Sequence, residues 1–499
     1  MEFLSNLAIG FEAALSLQSL FYAFLGALLG TLIGVLPGLG PLATIAMLLP
    51  VTYGLEPLSA LILLAGIYYG AQYGGSTTSI LVNIPGESAS VVTCLDGYQM
   101  ARQGRGGKAL AIAAIGSFFA GTVATVILAL LSPALAEVAF RFRAPDYFSL
   151  MVLGLIGAVA MSNGSVLKAL AMVLIGLALG TMGTDINSGQ ARFTFGLMEL
   201  HEGLEFVVIA VGIYAFCEVI DNLSAREGRE VFTRDISGLW LSRKELGQAL
   251  RPILRGTGLG SIFGLLPGGG ATLASFAAYT LEKRIAADPS RFGKGAIEGV
   301  AAPEAANNAA AQMSFVPLLT LGLPSNAVMA LMLGAMMIHQ IQPGPQVMTS
   351  NPALFWGLIV SMWIGNIALL VLNLPMVGLW VKLLTIPYRY LAPAILVFCC
   401  IGIFSISNSV FDIFMAVVLA VLGLIFKRTG CEPAPLLLGF VLGPLMEENF
   451  RRSLRVSRGD YTTFLTQPIS ATLLAIALLV LIALLLPNLR RSRESAFQE

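Results

Sequence analysis

A chain of 499 residues that is 57% hydrophobic and only 11% charged, with a mean hydropathy of +0.83, is too apolar to be a water-soluble domain of that length. It reads as an all-α integral membrane protein. The net charge of +1 carries no signal for a nucleic-acid partner, and orientation depends only on where Lys and Arg stand.

With about 20 residues per span, runs such as Phe21 to Leu36, Leu110 to Leu131, Phe206 to Ile220, Val410 to Phe426 and Leu473 to Leu486 leave room for about ten to twelve transmembrane or re-entrant helices. The N-terminal stretch MEFLSNLAIGFEAAL has no basic region and no small-residue cleavage site, so its apolar segment is expected to be retained. Next comes GTLIGVLPGLGP (Gly30 to Pro41), which returns 230 positions later as GSIFGLLPGGGA (Gly260 to Ala271) with six of twelve positions identical. Matched Pro-Gly interruptions in two halves of an apolar chain point to a transporter's binding region. Gly34, Pro37, Gly38 and Gly40, with Gly264, Pro267, Gly268 and Gly270, are the expected hinge and backbone residues.

A polar segment follows in each half. YYGAQYGGSTTSILVNIPGESAS (Tyr68 to Ser90) is partnered by APEAANNAAAQMSFVPLLTLGLPSNAV (Ala302 to Val328), and IPGESA aligns on LPSNAV at an offset of 239. The nine extra residues are expected in the loop RIAADPSRFGKG. Non-helical backbone at membrane depth must be buried in protein or line a wet cavity, so Pro85-Gly86 and Pro324-Ser325 predict interrupted helices. Their alternative is a pair of ordinary turns outside the bilayer. The ligating oxygens and amides are expected from Thr77, Asn83, Ser88, Asn307, Asn308, Ser325 and Asn326. Glu304, in an alanine-rich stretch with amides at i+3 and i+4, and secondarily Glu87, would answer a coupling cation, Na+ or H+. The other reading of Glu304 is a structural acid at a helix start after Pro303. Were the ion sodium, Asn83, Asn308 and Ser325 are the candidate ligands; no other metal site or cofactor is expected.

Bases are absent from residues 1–101 and crowd residues 221–255, which makes that polar loop cytoplasmic and the N-terminus periplasmic. Arg102, Arg105 and Lys108 have no basic counterparts at Ile341, Gly344 and Val347, whereas Lys283, Arg284, Arg291 and Lys294 have none near Tyr53 to Pro57. Opposite bias in matching loops predicts inverted halves; parallel halves with accidental charges are the alternative. The resulting organisation is a first half at 1–220, a cytoplasmic polar loop at 221–255, a second half at 256–426, and C-terminal helices with a basic cytoplasmic tail at 427–499.

Several chemistries find no support. HEGLE (His201 to Glu205) lacks the second histidine of a zinc peptidase, no G-x-x-x-x-G-K-[ST] exists, and five scattered cysteines show no ligand spacing. His339 and the Met-rich run Met329 to Ile338 read as packing residues. No nucleophile, base and orienter recur at a recognisable spacing, so an intramembrane enzyme is the remote alternative.

The paired G-x-x-x-G-x-x-P-G-x-G motifs, YGGSTTSILVNIPGESAS followed by DGYQMARQGRGGKAL, and APEAANNAA with LGLPSNAV closely resemble the large membrane subunit of the tripartite tricarboxylate transporters, the TctA family. The likeness runs from about Leu15 to Leu486. It implies a multi-pass carrier of the bacterial inner membrane that works with a small membrane subunit and a periplasmic solute-binding protein to import carboxylates such as citrate. A stand-alone carrier or channel is the alternative within transport.

Overall fold

In the computed structural model the described residues are 2–36, 40–162, 165–185, 187–224, 238–266, 270–383 and 388–486. Pro37, Gly38, Pro267 and Gly268 of the expected hinge set lie outside them. The chain opens with α1 (Glu2–Ala14), α2 (Leu17–Val35), α3 (Pro41–Thr52) and α4 (Pro57–Val82), then a 3-10 turn at Ser88–Ser90, α5 (Val91–Arg102) and α6 (Gly106–Ala139). It continues through α7 (Ala144–Met161), α8 (Val166–Gly180), α9 (Phe206–Ala210) and α10 (Cys217–Ser224), the last two joined by a π-helical stretch at Val211–Phe216. α11 (Arg243–Leu265), α12 (Gly270–Ile285), α13 (Glu298–Met313), α14 (Phe315–Leu321), α15 (Ala327–Ile338), α16 (Gln346–Ser350) and α17 (Pro352–Asn373) follow. The remainder is α18 (Val377–Leu383), α19 (Tyr388–Ser407), α20 (Val410–Arg428), α21 (Ala434–Val456), α22 (Thr463–Thr466) and α23 (Pro468–Leu485). Strand is confined, among the described residues, to a two-residue pairing of Gly183–Thr184 with Ala191–Arg192.

Among the described residues, six helical segments are long and apolar enough to cross a bilayer: Leu17–Val35, Gly106–Ala139, Phe206–Leu223, Pro352–Asn373, Val410–Arg428 and Pro468–Leu485. Shorter apolar helices, among them Pro41–Thr52 and Ala327–Ile338, fill the space between. This is an all-α, multi-pass membrane protein. The polar stretch 221–255, expected as a loop, is helical at both ends, because α10 reaches Ser224 and α11 begins at Arg243. Ser242 is the physical reason. Its hydroxyl accepts from the Glu245 N–H at 3.3 Å while the Glu245 carboxylate accepts from the Ser242 N–H at 2.9 Å, a reciprocal cap that starts a helix despite the surrounding charge.

The glycines set the helix packing, and they set it twice. α2 lies along α4 with Gly26, Gly30 and Gly34 against the backbone of Leu63, Ile67 and Ala71. In α11, Gly256, Gly260 and Gly264 meet the backbone of Ala302, Ala306 and Ala310 of α13 in the same way. The glycines are displaced by 230 positions and their partners by 239, so the nine additional residues fall where residues 283–295, the end of α12 and most of the link to α13, replace the four-residue link 53–56. A Cβ on Gly34 would stand 2.6 Å from the Ala71 carbonyl oxygen, and one on Gly264 2.5 Å from that of Ala310. Neither helix pair could approach so closely with a side chain there.

The ends of α4 separate two faces. Its 26 residues span about 39 Å. Near its N-terminus Leu58 packs on Gly357, at the start of α17, and the C-termini of α3 and α15 meet there through Thr52 and His339. At its C-terminus Ile80 packs on Gly97 and Leu81 approaches Gly106. On that second side Gln103 donates to the Lys294 carbonyl at 2.8 Å and Lys108 pairs with Glu245 at 2.6 Å. Arg102, Arg105, Lys108, Arg243, Lys244, Arg291 and Lys294 thus gather at one end, and the loops 53–56 and 340–351 at the other contain no base. Beyond α8, an ion-pair knot joins the hairpin to α21: Asp185 to Arg451 at 3.0 Å, and Arg192 to Glu447 at 2.9 Å. The Ser188 hydroxyl, the Asn187 N–H and the Arg451 guanidinium hold the Asp185 carboxyl well below the usual carboxylate range.

Candidate functional site

Each half sends one short helical hairpin into the other. The turn at Ser88–Ser90 and α5 pack on α12 and α13, whereas α15 packs on α3 and α4. The entry to each hairpin is built alike. α4 ends on Asn83 in a left-handed conformation (φ 58°), α14 ends on Gly322 in the same conformation (φ 67°), and these are aligned positions at the offset of 239. The left-handed cap terminates a helix and turns the chain toward proline, first Pro85, then Pro324.

The interleaving brings the four motifs to one cavity of ≈ 350 Å³. Gly40, Pro41 and Leu42 line it from α3, Gly270 to Leu273 from α12, Glu87 to Ala89 from the first hairpin, and Ser325 to Val328 from the second. Tyr68 and Gln72 of α4 complete the inner wall; Ala158, Ser162, Glu432 and the start of α21 close the side. The N-terminal ends of α3, α12 and α15 all face this space. Unsatisfied N–H groups and the helix dipole make such ends favourable to anions. Among the described lining residues there is no Lys or Arg.

Within the cavity Ser88 and Thr272 share a hydrogen bond of 2.9 Å across the two halves. Asn326 caps α15 by accepting from the Met329 N–H at 2.9 Å and donates to Ser314 at 3.2 Å. The Ser325 hydroxyl and the Gln72 amide oxygen are buried and have no protein partner, so both are available to an occupant. Glu87 is half-buried and accepts from the Asn307 amide at 2.9 Å.

Glu304 lies behind this wall and does not line the cavity. It is 1% exposed, and its carboxylate accepts from the Ser76 hydroxyl at 2.6 Å and from Thr93. Asn308 donates to Ser117 at 2.7 Å and to the Glu304 carbonyl at 3.1 Å. No base neutralises Glu304 within this set of contacts. The expected site residues thus divide. Glu87, Ser88, Ser325 and Asn326 meet in the cavity, Asn307 reaches it through Glu87, and Glu304 with Asn308 forms a second cluster. Pro85, Gly86 and Pro324 shape the turns; Gly86 packs against Gly75 and the Gly34 carbonyl. Thr77 donates back to Tyr73 within its own helix at 3.3 Å, and Asn83 is an exposed helix cap. Asn83, Asn308 and Ser325 therefore occupy three different settings rather than one nest.

Sequence reasoning left out Gln72, Ser76, Thr93, Ser117 and Thr272. Gln72 and Ser76 stand in the polar run that drew attention, and Thr272 follows a motif glycine by two positions. Thr93 stands in the mixed helix VVTCLDGYQMAR and Ser117 is one of four Ser and Thr residues in α6, and nothing local sets either apart.

The family model described as "Tripartite tricarboxylate transporter TctA family" matches residues 20–438. A protein of Agrobacterium vitis described as an uncharacterized 52.8 kDa protein in the TAR-I ttuC' 3' region is 58% identical over 499 residues, covering 100% of this chain and 99% of that protein. A second Agrobacterium vitis protein, described as an uncharacterized protein in the TAR-II ttuC' 3' region, is 60% identical over 240 residues, 48% of this chain and 99% of its own length. No solved structure matches.

Proposed function

The chain belongs to the tripartite tricarboxylate transporter TctA family, and we propose that it imports an organic carboxylate across a bacterial inner membrane by ion-coupled alternating access. The family is one of tripartite transporters with further subunits. In this reading a periplasmic binding protein delivers the carboxylate and a small membrane subunit completes the carrier. The observation that carries the reading is the cavity where three helix N-termini and the Ser88, Thr272, Ser325 and Gln72 side chains converge without a basic residue. Helix ends and hydroxyls then bind the anion, and its remaining charge is balanced by a co-transported Na+ or H+ at Glu304, with Glu87 as a second acidic group.

Alternating access follows from halves of opposite orientation. The collection of bases at the α5 and α12 ends supports a cytoplasmic position for that side, with Gln103 inside and Gln342 outside in this reading. The C-terminus is then cytoplasmic and the N-terminus periplasmic. Exchange of conformations between such halves gives outward-open and inward-open states around one central site.

Proteoliposomes containing the chain with its two partner proteins, loaded against Na+ or pH gradients, are expected to accumulate radiolabelled di- or tricarboxylates only when the binding protein is present. Uptake by the chain alone would overturn dependence on the binding protein, and uptake indifferent to both gradients would overturn coupling. Single cysteines at Gln103 and Gln342, in a background without the five native cysteines, test orientation. Labelling of both from the same face by an impermeant thiol reagent removes the inverted arrangement.

A further inference from the structure

Two stripes of polar side chains face each other away from the carboxylate cavity. On α4, Tyr69, Tyr73 and Ser76 recur at helical spacing on one side; on α13, Glu304, Asn308 and Gln312 do the same. The helices start at opposite ends of the molecule, so Ser76 meets Glu304 at the inner end of the paired stripes, and Tyr69 and Gln312 lie at the outer end. Gly365 of α17 faces the Tyr69 ring, which a Cβ there would meet at 3.3 Å, and the next residue, Asn366, sets its amide against Gly121 of α6.

Tyr69, Tyr73 and Gln312 of the stripes, and Asn366 of α17, are unpaired. The hydroxyls of Tyr69 and Tyr73, the Gln312 amide oxygen and both amide atoms of Asn366 have no hydrogen-bond partner, although these residues are only 2%, 4%, 2% and 0% exposed. Buried polar atoms at membrane depth are costly when left bare, and several together on converging helices call for a polar occupant. None of the four lines the carboxylate cavity. Phenols that donate and accept, amide oxygens that accept and an amide nitrogen that donates match water, which does both, and they match poorly any apolar ligand.

We infer that the space between α4, α13 and α17 is a hydrated antechamber to Glu304, separate from the carboxylate cavity, through which a small monovalent cation reaches that carboxylate. The role of the cation rests on Glu304 being the coupling group; the hydration does not. A separate approach lets the ion and the carboxylate arrive independently, with Ser76 and Thr93 on the carboxylate oxygens as the last contacts to be exchanged.

Hydroxyl-radical footprinting of the complete transporter in nanodiscs tests the water. Tyr69 and Tyr73 are expected to be modified about ten-fold faster than Trp380, a buried ring whose N–H is satisfied by the Leu372 carbonyl at 2.9 Å. Modification no faster than that of Trp380 means that the space is dry and overturns the inference. The Tyr69→Phe, Tyr73→Phe double variant tests the route, because it removes only two unpartnered oxygens. Carboxylate counterflow should stay within about two-fold of the parent while gradient-driven accumulation falls about five-fold or more. Unchanged accumulation with raised thermal stability is the signature of idle buried hydroxyls and also overturns it. If the double variant does not fold, Gln312→Met replaces it with the same two expectations. A parent carrier with full counterflow but no response to any ion gradient would instead refute the coupling role of Glu304, leaving the footprinting result to decide the hydration by itself.

Discussion

The two halves share a skeleton and divide the chemistry. Glycine ladders, left-handed helix caps and proline turns correspond position by position at offsets of 230 and 239. The polar residues do not. At the offset of 239, Glu304 aligns with Ala65, Asn307 with Tyr68 and Asn308 with Tyr69, whereas Glu87 of the first half aligns with Asn326 and Ser76 with Phe315. The Glu304 carboxylate is therefore supplied by one half and its hydroxyl partners, Ser76 and Thr93, by the other. Glycine and proline positions thus build a similar frame twice, while the polar side chains set on it differ between the two.

The largest effects are expected where the frame itself is broken. Gly34→Val and Gly264→Val should each reduce transport by about a hundred-fold or prevent assembly, since the new side chain meets backbone 2.6 and 2.5 Å from its Cβ in the two cases. Gly258→Val, on the open face of α11 where nothing stands within 4 Å, should be nearly silent. Uptake and detergent-solubilised yield measure both. A strong effect in one half with none in the other would break the equivalence of the two ladders.

An intermediate effect tests the asymmetry. Glu304→Gln keeps the shape and can still engage the Ser76 and Thr93 hydroxyls, whose protons rotate to suit either acceptor or donor. Folding should persist, and gradient-driven uptake should fall by about ten-fold or more. Glu87→Asn, which makes the first hairpin match the second, should cost less and change the apparent affinity for the carboxylate. Equal loss in the two variants would mean that both acids serve one function, contrary to their separate settings.

The smallest effect concerns a tie between the halves at the basic end. Hydrogen bonds from Lys108 and Ser242 depress Glu245 from the usual range to about 2. A carboxyl whose folded value is depressed contributes stability above its unfolded value, and that contribution is lost as pH falls through the folded one. Thermal stability should therefore lose a small increment between about pH 4.5 and pH 2, and Glu245→Gln should remove that step without changing stability near pH 7 by more than about 1 kcal/mol. An unaltered low-pH step in the variant would assign it to another group.

Much of the frame was legible because glycine, proline and asparagine leave local signatures: close approach needs the missing Cβ, and a left-handed cap needs Gly or Asn. Glu304 stood out because an acid among alanines has no cheap explanation in a membrane, and its burial matches that isolation. What stayed hidden depends on distance in the chain. Thr93 and Glu304 lie 211 positions apart and Ser88 and Thr272 lie 184 apart, and no local spacing announces such pairs. The helical start at Arg243 was hidden for another reason: a count of charges obscured the cap at Ser242.

Asp96 has a bearing on how the protein is made. In the finished molecule it is fully buried, accepting from the Gly295 and Ala296 N–H groups at 2.8 and 2.7 Å and from the Tyr279 hydroxyl at 3.0 Å. The Gly295 donor is 199 residues downstream. At a synthesis rate of about 5–20 residues per second, roughly 10–40 seconds pass before it leaves the ribosome. During that interval the Asp96 carboxylate, at the basic end of the molecule, has none of these donors. The contacts that seat α5 against the 286–297 link therefore form only after that link has been made. Biogenesis is consequently ordered: the first hairpin is synthesised early and seated late.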